Sequence, residues 1–439
     1  MFGAGAAALR VLWVLVMSRE PKGLTDLTLY PLFAEGIAEG RGYLSLGQHP
    51  TAYYPPGYPF FLGAIQWIID RVGLGEHLVL AAGLVQALLG GLAVGAVVVA
   101  GERLGGRRVA LVAGALIALW PNLVVHSSLM LSETLFIAVF CVTLAALVKV
   151  TDAPRWWSAS LFVAAAGLGL CTLIRPQSTL LALPAIAISW ALGSMGWRRC
   201  ATSLAVLVAG VVLVVAPWTI RNAIVLGGFV PVSTNTGDNL CIGFNPDTTG
   251  GFMAAPYCET GEFYVQGIDQ ELRRDAEARA LALRWASGHL AEIPALSLRK
   301  LQITYTNDRD GLRALESFGE DEFLDDGLRR LIGTLGDIYF FSVLVAASAG
   351  MAVVAIDGWR KRHVDPVPGL VVLLTLGAVA VPVVSFADTR FKVPAAPLLA
   401  LLAASAVSAG WAAWQRRHVS SRPGRPNRPG APLTAGEAQ

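Results

Sequence analysis

Residues that could do chemistry gather just after the first apolar run of the chain. A single carboxylate, Asp26, is followed by Tyr30 and then by Tyr53, Tyr54 and Tyr58 in a run rich in Pro and Gly. A flexible tether would be rich in Gly and Ser and would not need aromatic bulk. One carboxylate in stiff aromatic surroundings, placed between two apolar runs, predicts the floor of a site at a bilayer surface.

The composition sets the class of protein in which such a site must be positioned. The 439 residues are 54% hydrophobic and only 15% charged, and the mean hydropathy is +0.57. A soluble domain of this length cannot bury so much apolar residue. The net charge of +3 is too small to predict a nucleic-acid partner. The five cysteines show no CxxC spacing, so they give no metal signal.

Apolar runs of roughly spanning length recur along the chain. They predict an all-α polytopic membrane protein with about ten transmembrane helices. The runs cover 4–17, 77–100, 109–127, 131–150, 157–174, 178–195, 201–219, 336–356, 367–386 and 393–413. The first run contains Arg10 and is shorter than the about 20 residues that a span needs. We interpret it as a span, with a cleaved signal peptide as the alternative.

The basic residues of the short loops predict the orientation, because cytoplasmic loops carry the excess of Lys and Arg. Alternate loops hold Arg103, Arg107 and Arg108; Lys149 and Arg155; Arg198 and Arg199; Arg360, Lys361 and Arg362; and Arg416 and Arg417. We therefore expect a multi-pass protein of the cytoplasmic (plasma) membrane with both termini in the cytoplasm. The segment with Asp26 then faces outward.

This topology divides the chain into four parts. An N-terminal transmembrane module (1–219) carries the first outward loop (18–76), and a large outward loop (220–335), further transmembrane helices (336–413) and a basic tail (414–439) follow. Within the large loop, apolar residues at helical spacing predict two amphipathic helices on the membrane over 268–303. The Pro-rich tail is expected to be disordered. Cys241 and Cys258 share the large loop in an oxidising compartment, where a disulfide is as well supported as two free thiols.

The order of the polar motifs resembles that of the GT-C glycosyltransferases. The most similar branch is the bacterial family-39-like group, with protein O-mannosyltransferases and aminoarabinose transferases. The motifs are Asp26 to Tyr30, Gly-x-Gly-Tyr at 40–43, Tyr-Tyr-Pro-Pro-Gly-Tyr-Pro at 53–59, Leu-Ser-Glu at 131–133, Arg-Pro at 175–176, Trp-x-x-Arg-Asn at 218–222 and Asp-x-Arg-Phe at 388–391. Together they extend over nearly the whole chain.

The resemblance implies the GT-C fold and a hexosyl- or pentosyltransferase. Such an enzyme moves a sugar from a polyprenyl-phosphate-linked donor to a protein, lipid or envelope-glycan acceptor, with inversion, at the outer face of the cytoplasmic membrane. Its partners are the lipid donor, the acceptor and membrane lipids. A polytopic transporter or lipid flippase of envelope precursors is the alternative, and it would place buried charges in mid-span. The sequence predicts no cofactor, although some members of the superfamily use a divalent metal.

Two carboxylates are candidate catalytic groups. Asp26 matches the family's first-loop acid and would act as general base, a role that contributes about 10²–10⁴-fold. Many relatives have two adjacent acids there, whereas Leu27 follows here. The alternative for Asp26 is an N-cap for a helix over 27–39. Glu133 opens a span at its outward end, where an unpaired carboxylate is costly, and the alternative is a helix-start charge favoured by the dipole.

The remaining candidates would bind substrate. Arg175, Arg221 and Arg390 lie at outward ends of spans, and guanidinium groups bind phosphate oxygens in pairs. Snorkelling to headgroups, or pairing with Asp388, is the alternative for these arginines. The predicted substrate-binding set is Tyr30, Tyr53, Tyr54, Tyr58, Arg175, Arg221, Asn239, Asp388 and Arg390. The tyrosines could equally anchor the loop at the headgroups, and Asn235, Asp238 and Asn245 are further candidates for hydrogen bonds to a sugar.

Overall fold

The protein is a bundle of helices with helical outer loops. The computed structural model describes residues 2–152, 158–193, 195–253, 255–258 and 268–419. Within these ranges the only β pairings are two isolated bridges, Leu44 with Pro50 and Gly251 with Ala387. The all-α fold predicted from the sequence is confirmed.

The helices follow one another in chain order. They are α1 (Phe2–Met17), α2 (Asp26–Ala38), α3 (Gly57–Arg71), α4 (Leu78–Leu119), α5 (Pro121–Val125), α6 (Glu133–Asp152), α7 (Ala159–Ile174), α8 (Gln177–Leu192), α9 (Trp197–Leu226), α10 (Thr236–Gly243), α11 (Ile268–Gly288), α12 (Ile293–Thr304), α13 (Asp310–Leu315), α14 (Asp326–Lys361), α15 (Pro366–Ala380) and α16 (Ala396–Val419). A 3₁₀ turn, Thr389–Ala395, leads into α16.

Many of these helices are apolar enough to lie in a membrane. Six helical runs of the described chain have the length and composition of membrane spans: Gly75–Leu119, Glu133–Thr151, Trp197–Leu226, Asp326–Lys361, Pro366–Val384 and Thr389–His418. Of the shorter apolar helices, α1 precedes the six spans in the sequence, and α7 and α8 lie between the second and the third. Every predicted apolar run therefore corresponds mainly to helix, and the protein is a polytopic membrane protein.

The predicted spans over 77–100 and 109–127 are two helical arms that meet at a sharp break within α4. Gly105 and Gly106 depart from helical geometry, and the arms then lie against each other, since a Cβ added to Gly101 would lie 2.8 Å from Cα of Ala110. Gly106 has a φ of 78°, a left-handed conformation that glycine adopts without steric cost. The second arm ends at Leu119, earlier than the predicted run over 109–127, because Pro121 lacks an N–H and disfavours helical geometry at the residue before it.

The spans pack through small residues. α4 packs against α1, α6 and α16, and α14 packs against α16. At the last of these contacts, a Cβ added to Gly350 would lie 1.9 Å from the carbonyl oxygen of Leu402. Close backbone approach at glycine is a common basis of helix association in membranes.

Arg10, the charge in the first apolar run, caps another helix. Its side chain is 2% exposed, and it donates hydrogen bonds to the carbonyls of Ala6, Ile117 and Ala118 at 3.2, 3.0 and 3.1 Å. Ile117 and Ala118 belong to the last turn of α4, where carbonyls lack partners within the helix. Arg10 therefore satisfies backbone groups that would otherwise be unpaired inside the bundle.

The large outer loop contains the predicted helix pair, α11 and α12. α11 packs against α10, and a disulfide joins Cys241 of α10 to Cys258. On the helix pair and its connection, Leu283, Leu290 and Leu298 remain exposed, so contact with the membrane stays a prediction. The tail begins later than expected, since α16 continues to Val419, and residues 420–439 lie outside the described ranges.

The capping role of Arg10 predicts a loss of stability on its removal. Replacing Arg10 with Met should lower the unfolding temperature, because each buried group left without a hydrogen bond costs about 1–3 kcal/mol. The measurement is thermal unfolding of the purified protein in nanodiscs, followed by tryptophan fluorescence. Arg107→Met, at an exposed site beside the kink, is the matched control. Equal unfolding temperatures for the two variants would contradict the capping role.

Candidate active site

Asp26 lies at the first residue of α2, where its carboxylate meets two partners. The N-cap of the helix is Thr25, so the alternative in which Asp26 is the cap is wrong. One oxygen, Oδ2, accepts a hydrogen bond from Nη1 of Arg390 at 2.6 Å. The other, Oδ1, accepts one from the Tyr54 hydroxyl at 2.8 Å. The side chain is thus held by an ion pair and a phenol rather than by its own helix.

These partners keep the carboxylate charged. Burial alone would raise the pKa of Asp26, but the charge of Arg390 and the hydrogen bonds from Tyr54 and Arg390 outweigh it, so the pKa lies below its usual range. At neutral pH Asp26 is therefore an ionised group that can only accept hydrogen bonds. That is the state a proton acceptor requires.

Glu133 and Arg175 form a second ion pair. Glu133 is the first residue of α6 and is 1% exposed. Its Oε1 accepts a hydrogen bond from Nη2 of Arg175 at 2.5 Å, and the same nitrogen donates to Oγ of Ser132 at 3.3 Å. The helix dipole favours a carboxylate at this position. The other oxygen, Oε2, is buried without a hydrogen-bond partner in the described chain, which leaves one acceptor for a ligand.

The two ion pairs form one cluster, called here the ion-pair cluster (Asp26, Glu133, Arg175 and Arg390). The charge of Arg175 acts on Asp26, and the charge of Arg390 acts on Glu133. The Nε atoms of both arginines are buried and make no hydrogen bond within the described residues. Two cations, each with an unused donor, are therefore held next to two carboxylates.

Tyrosines form the wall beside Asp26. The ring of Tyr30 meets those of Tyr54 and Tyr58 edge to face, with centroids 5.3 and 5.1 Å apart. Tyr58 is buried and its hydroxyl donates to Gln86 at 3.1 Å, so its contacts are those of a core residue. Tyr54 is the tyrosine that touches the carboxylate.

The turn before α16 orients Arg390. Oδ1 of Asp388 accepts a hydrogen bond from the backbone N–H of Arg390 at 2.9 Å and so caps the turn. The sequence analysis considered an ion pair between the side chains of Asp388 and Arg390. In the structure the guanidinium of Arg390 binds Asp26 instead. Asp388 is thereby placed as a residue that positions Arg390.

A buried polar network, which the sequence analysis missed, anchors the same turn. Nζ of Lys392 lies 3.2 Å from Oδ1 of Asp308 and 3.0 Å from Oδ1 of Asp310. Nε2 of His126 lies 2.9 Å from Oδ2 of Asp310, and Asn122 donates to both aspartates. Burial opposes ionisation, but Lys392 and His126 hold the pKa of Asp310 well below its usual range. The signal in the sequence was the spacing of Asp308 and Asp310 and a lysine two residues after Arg390.

An apolar groove adjoins one side of the ion-pair cluster. The empty space of the groove, open solvent included, is about 530 Å³. Its lining is Phe136, Phe140, Arg175, Gln177, Ser178, Leu181, Ala182, Leu374, Ala378, Val381, Phe391, Pro394 and Leu398. Arg175 brings the cluster to the groove directly, and Phe391 follows Arg390 in the chain. The groove combines an apolar length with one fixed cation.

A second cavity, called here the outer pocket, adjoins the other side. Its empty space, open solvent included, is also about 530 Å³. It is lined by Leu29, Phe33, Ser45, Leu46, Thr51, Tyr53, Tyr54, Thr234, Asp238, Glu271, Arg274 and Asp275. Tyr54 links this pocket to Asp26. The pocket is therefore polar and charged where the groove is apolar.

Six predicted binding residues lie outside both cavity linings: Tyr30, Tyr58, Arg221, Asn239, Asp388 and Arg390. Arg221 donates to the backbone carbonyls of Thr51 and Tyr43 at 2.7 and 3.1 Å, so it ties α9 to the first loop. Asn239 lies in α10 and is not among the residues that line either cavity. Among the described residues, no group of three or more His, Cys, Asp or Glu side chains is arranged to hold a metal ion.

The comparison of sequences identifies a family for part of the chain. Residues 55–220 match the family model described as dolichyl-phosphate-mannose-protein mannosyltransferase. This stretch includes Tyr58, Glu133 and Arg175 but neither Asp26 nor Arg390. No curated protein matches the chain.

The comparison of structures extends over nearly the whole chain. An Archaeoglobus fulgidus oligosaccharyltransferase in complex with Zn and sulfate aligns with 95% of this chain and 50% of its own, at 16% identity and a TM-score of 0.57. The oligosaccharyltransferase AglB of the same organism, in complex with an inhibitory peptide and a dolichol-phosphate, aligns with 97% of this chain and 52% of its own, at 16% identity and a TM-score of 0.54.

A third similar structure is ArnT from Cupriavidus metallidurans bound to undecaprenyl phosphate, at 15% identity and a TM-score of 0.42 over 96% of this chain and 80% of that one. The chain spans about half the length of the oligosaccharyltransferases it matches. The resemblance to the GT-C glycosyltransferases is confirmed by this common fold and by the mannosyltransferase family match over residues 55–220.

Proposed function

We propose that the protein is a membrane glycosyltransferase. It transfers a sugar, a hexose or a pentose, from a polyprenyl-phosphate-linked donor to a hydroxyl of an acceptor, with inversion at the anomeric carbon. The observation that carries the proposal is the position of the ion-pair cluster between an apolar groove and a polar pocket. The loop charges support a site on the outer face of the cytoplasmic membrane.

The groove is suited to a lipid-linked donor. A polyprenyl chain is apolar, and the groove surrounds it with Leu181, Leu374 and Ala378. Arg175 lies in the lining, and Arg390 lies beside Phe391. Guanidinium groups bind phosphate oxygens in pairs, so these two arginines, each with an unused Nε donor, would hold the lipid phosphate.

The chemistry follows from the positions of Asp26 and Arg390. The acceptor oxygen attacks the anomeric carbon while Asp26 takes the hydroxyl proton, and the bond from that carbon to the phosphate oxygen breaks. The lipid phosphate leaves with the electron pair, and its growing negative charge is stabilised by Arg390 and Arg175. One displacement at carbon inverts its configuration.

Donor binding would also raise the basicity of Asp26. In the structure described here Arg390 is paired with Asp26. A phosphate that shares Arg390 weakens the hold of this cation on the carboxylate, and the pKa of Asp26 then rises toward its usual range. The base becomes more effective only when a donor is in place, which limits loss of the sugar to water.

The comparisons support this assignment. The matching family is described by mannosyl transfer from dolichyl phosphate, and one structure of similar fold holds a dolichol-phosphate. Recognition of a lipid phosphate is therefore compatible with this arrangement of helices.

Asp26 as the base predicts a large loss of turnover on removal of its charge. Asp26→Asn should lower kcat by about 10²–10⁴-fold, because the amide cannot take the proton. The measurement is the rate at which the protein in nanodiscs releases labelled sugar from undecaprenyl-phospho-mannose, -glucose and -arabinose, which gives kcat. Asp70→Asn, at the exposed end of α3, is the control. Full turnover by Asp26→Asn would remove the base role, and transport of intact donor by wild-type protein without cleavage would favour a transporter.

The hydrogen bond from Tyr54 predicts a change in pH dependence. Tyr54→Phe removes one of the contacts that lower the pKa of Asp26, so that pKa should rise. Turnover requires the ionised carboxylate and is lost as pH falls through this pKa, so the acid limb of the kcat/KM profile should move to higher pH. The measurement is sugar transfer from about pH 8 down to about pH 2.5, a window that extends below the usual pKa of an aspartate. An acid limb that stays in place or moves down would contradict this account.

The groove predicts a selective effect on long donors. Ala378→Phe fills part of the groove, so KM should rise by about tenfold for an undecaprenyl donor, a loss of about 1.4 kcal/mol of binding. A donor with a ten-carbon chain should be affected less, since it occupies less of the groove. Leu376→Phe, on the same helix at a position that is 50% exposed, is the control. Equal increases of KM for both donors would show that the lipid chain binds outside the groove.

A further inference from the structure

The outer pocket has no role in the donor chemistry described above. Its lining combines the rings of Tyr53 and Tyr54 with the charged side chains of Asp238, Glu271 and Arg274. Most of these charges are paired within the lining: Glu271 accepts three hydrogen bonds and Asp238 pairs with Arg274. Aromatic faces beside charged hydrogen-bonding groups are the kind of surface that a polar ligand with an apolar face can bind.

Asp238 is a buried group in this pocket whose hydrogen bonding is incomplete, as is the hydroxyl of Ser45 among the described residues. Asp238 is 2% exposed. Its Oδ2 accepts a hydrogen bond from the Tyr53 hydroxyl at 3.1 Å. Its Oδ1 forms an ion pair with Nε of Arg274 at 3.6 Å and accepts no hydrogen bond within the described chain. Burial raises the pKa of Asp238 to about 6, although Arg274 and Tyr53 act in the opposite direction. A ligand that donates a hydrogen bond would satisfy this oxygen.

The pocket lies next to the base. The rings of Tyr53 and Tyr54 meet edge to face with centroids 5.1 Å apart, and the Tyr54 hydroxyl is bonded to Asp26. Leu29 and Phe33, which also line the pocket, follow Asp26 by three and seven residues and so share its face of α2. A group bound in the pocket is therefore adjacent to the proton acceptor.

We propose that the outer pocket binds the acceptor and that this acceptor is a saccharide, one of whose hydroxyls donates a hydrogen bond to Oδ1 of Asp238. This inference rests on the proposed function. The tyrosine rings offer apolar surface to a sugar face.

The charges of the pocket select among saccharides. Asp238, Glu271 and Asp275 outnumber the one cation of the lining, Arg274. Like charge inside a partly enclosed site is repelled, so a neutral or amino sugar is favoured over a uronic acid or a phosphorylated sugar.

Hydrogen bonds between the two loops hold the walls of the pocket together. Glu271 accepts hydrogen bonds from Oγ1 of Thr51, N of Ala52 and Oγ1 of Thr234 at 2.8, 2.9 and 2.6 Å, and so fixes the first loop to the large loop.

Binding without donor tests the proposal. Saturation-transfer NMR on the full-length protein in nanodiscs would use methyl glycosides of mannose, glucose, glucosamine and glucuronic acid, and a Ser/Thr-containing hexapeptide. We expect transfer to at least one neutral or amino glycoside, and none to the glucuronide or the peptide. Asp238→Asn should weaken glycoside binding by about tenfold. Asp247→Asn, at an exposed site of the same loop, should bind like wild type.

A second variant keeps the test valid if Asp238→Asn fails to fold. Leu46 lines the pocket and is 38% exposed, so Leu46→Trp should fold normally and obstruct glycoside binding. Binding that survives both changes, or binding of the peptide alone, would overturn the proposal. Glycoside binding without cleavage of any polyprenyl-phospho-sugar would leave the pocket assignment intact and overturn the glycosyltransferase assignment instead. Donor cleavage without glycoside binding would overturn the pocket assignment and leave the glycosyltransferase assignment intact.

Discussion

The ion pair between Asp26 and Arg390 joins the two ends of the protein. The two residues are 364 positions apart, one at the start of α2 and the other in the turn before α16. Each is held from its own side, Asp26 by the start of the helix capped at Thr25 and Arg390 by Asp388. Removing one member of such a pair leaves an uncompensated charge. The local supports keep both groups in place even when a ligand comes between them.

The network near Arg390 joins three separate segments. Lys392, Asp308, Asp310 and His126 are all buried and pair with one another, while Nδ1 of His126 has no hydrogen-bond partner among the described residues. Displacing Lys392 or Asp310 would leave several buried groups unpaired, which favours one arrangement. In the proposed reaction, Arg390 would then need little reorganisation when charge develops on the leaving group.

The sequence predicted the helices and the four residues of the ion-pair cluster, but it did not predict the buried network around Lys392. The physical reasons differ in each case. Spans are recognisable because length and apolar composition are local properties. A charged side chain at the end of an apolar run is energetically costly. This cost made it possible to predict the candidates Asp26, Glu133, Arg175 and Arg390. The pairing of Lys392 with Asp308 and Asp310 was not predictable, since it depends on contacts over more than 80 residues. For the same reason the sequence could not show that Arg221 would donate to backbone carbonyls of the first loop.

The two cavities share no lining residue, and this separation gives the ion pair its place in the reaction. On the pocket side, Tyr54 carries the contact to Asp26, which would receive the proton. On the groove side, Phe391 adjoins Arg390, which would receive the charge of the departing phosphate. The two changes of charge in one transfer thus fall on opposite members of one pair. In the proposed transfer, the proton would neutralise Asp26 and weaken its hold on Arg390 while negative charge grows on the phosphate. One ion pair would thus serve both the bond that forms at the acceptor and the bond that breaks at the phosphate, without another charged group.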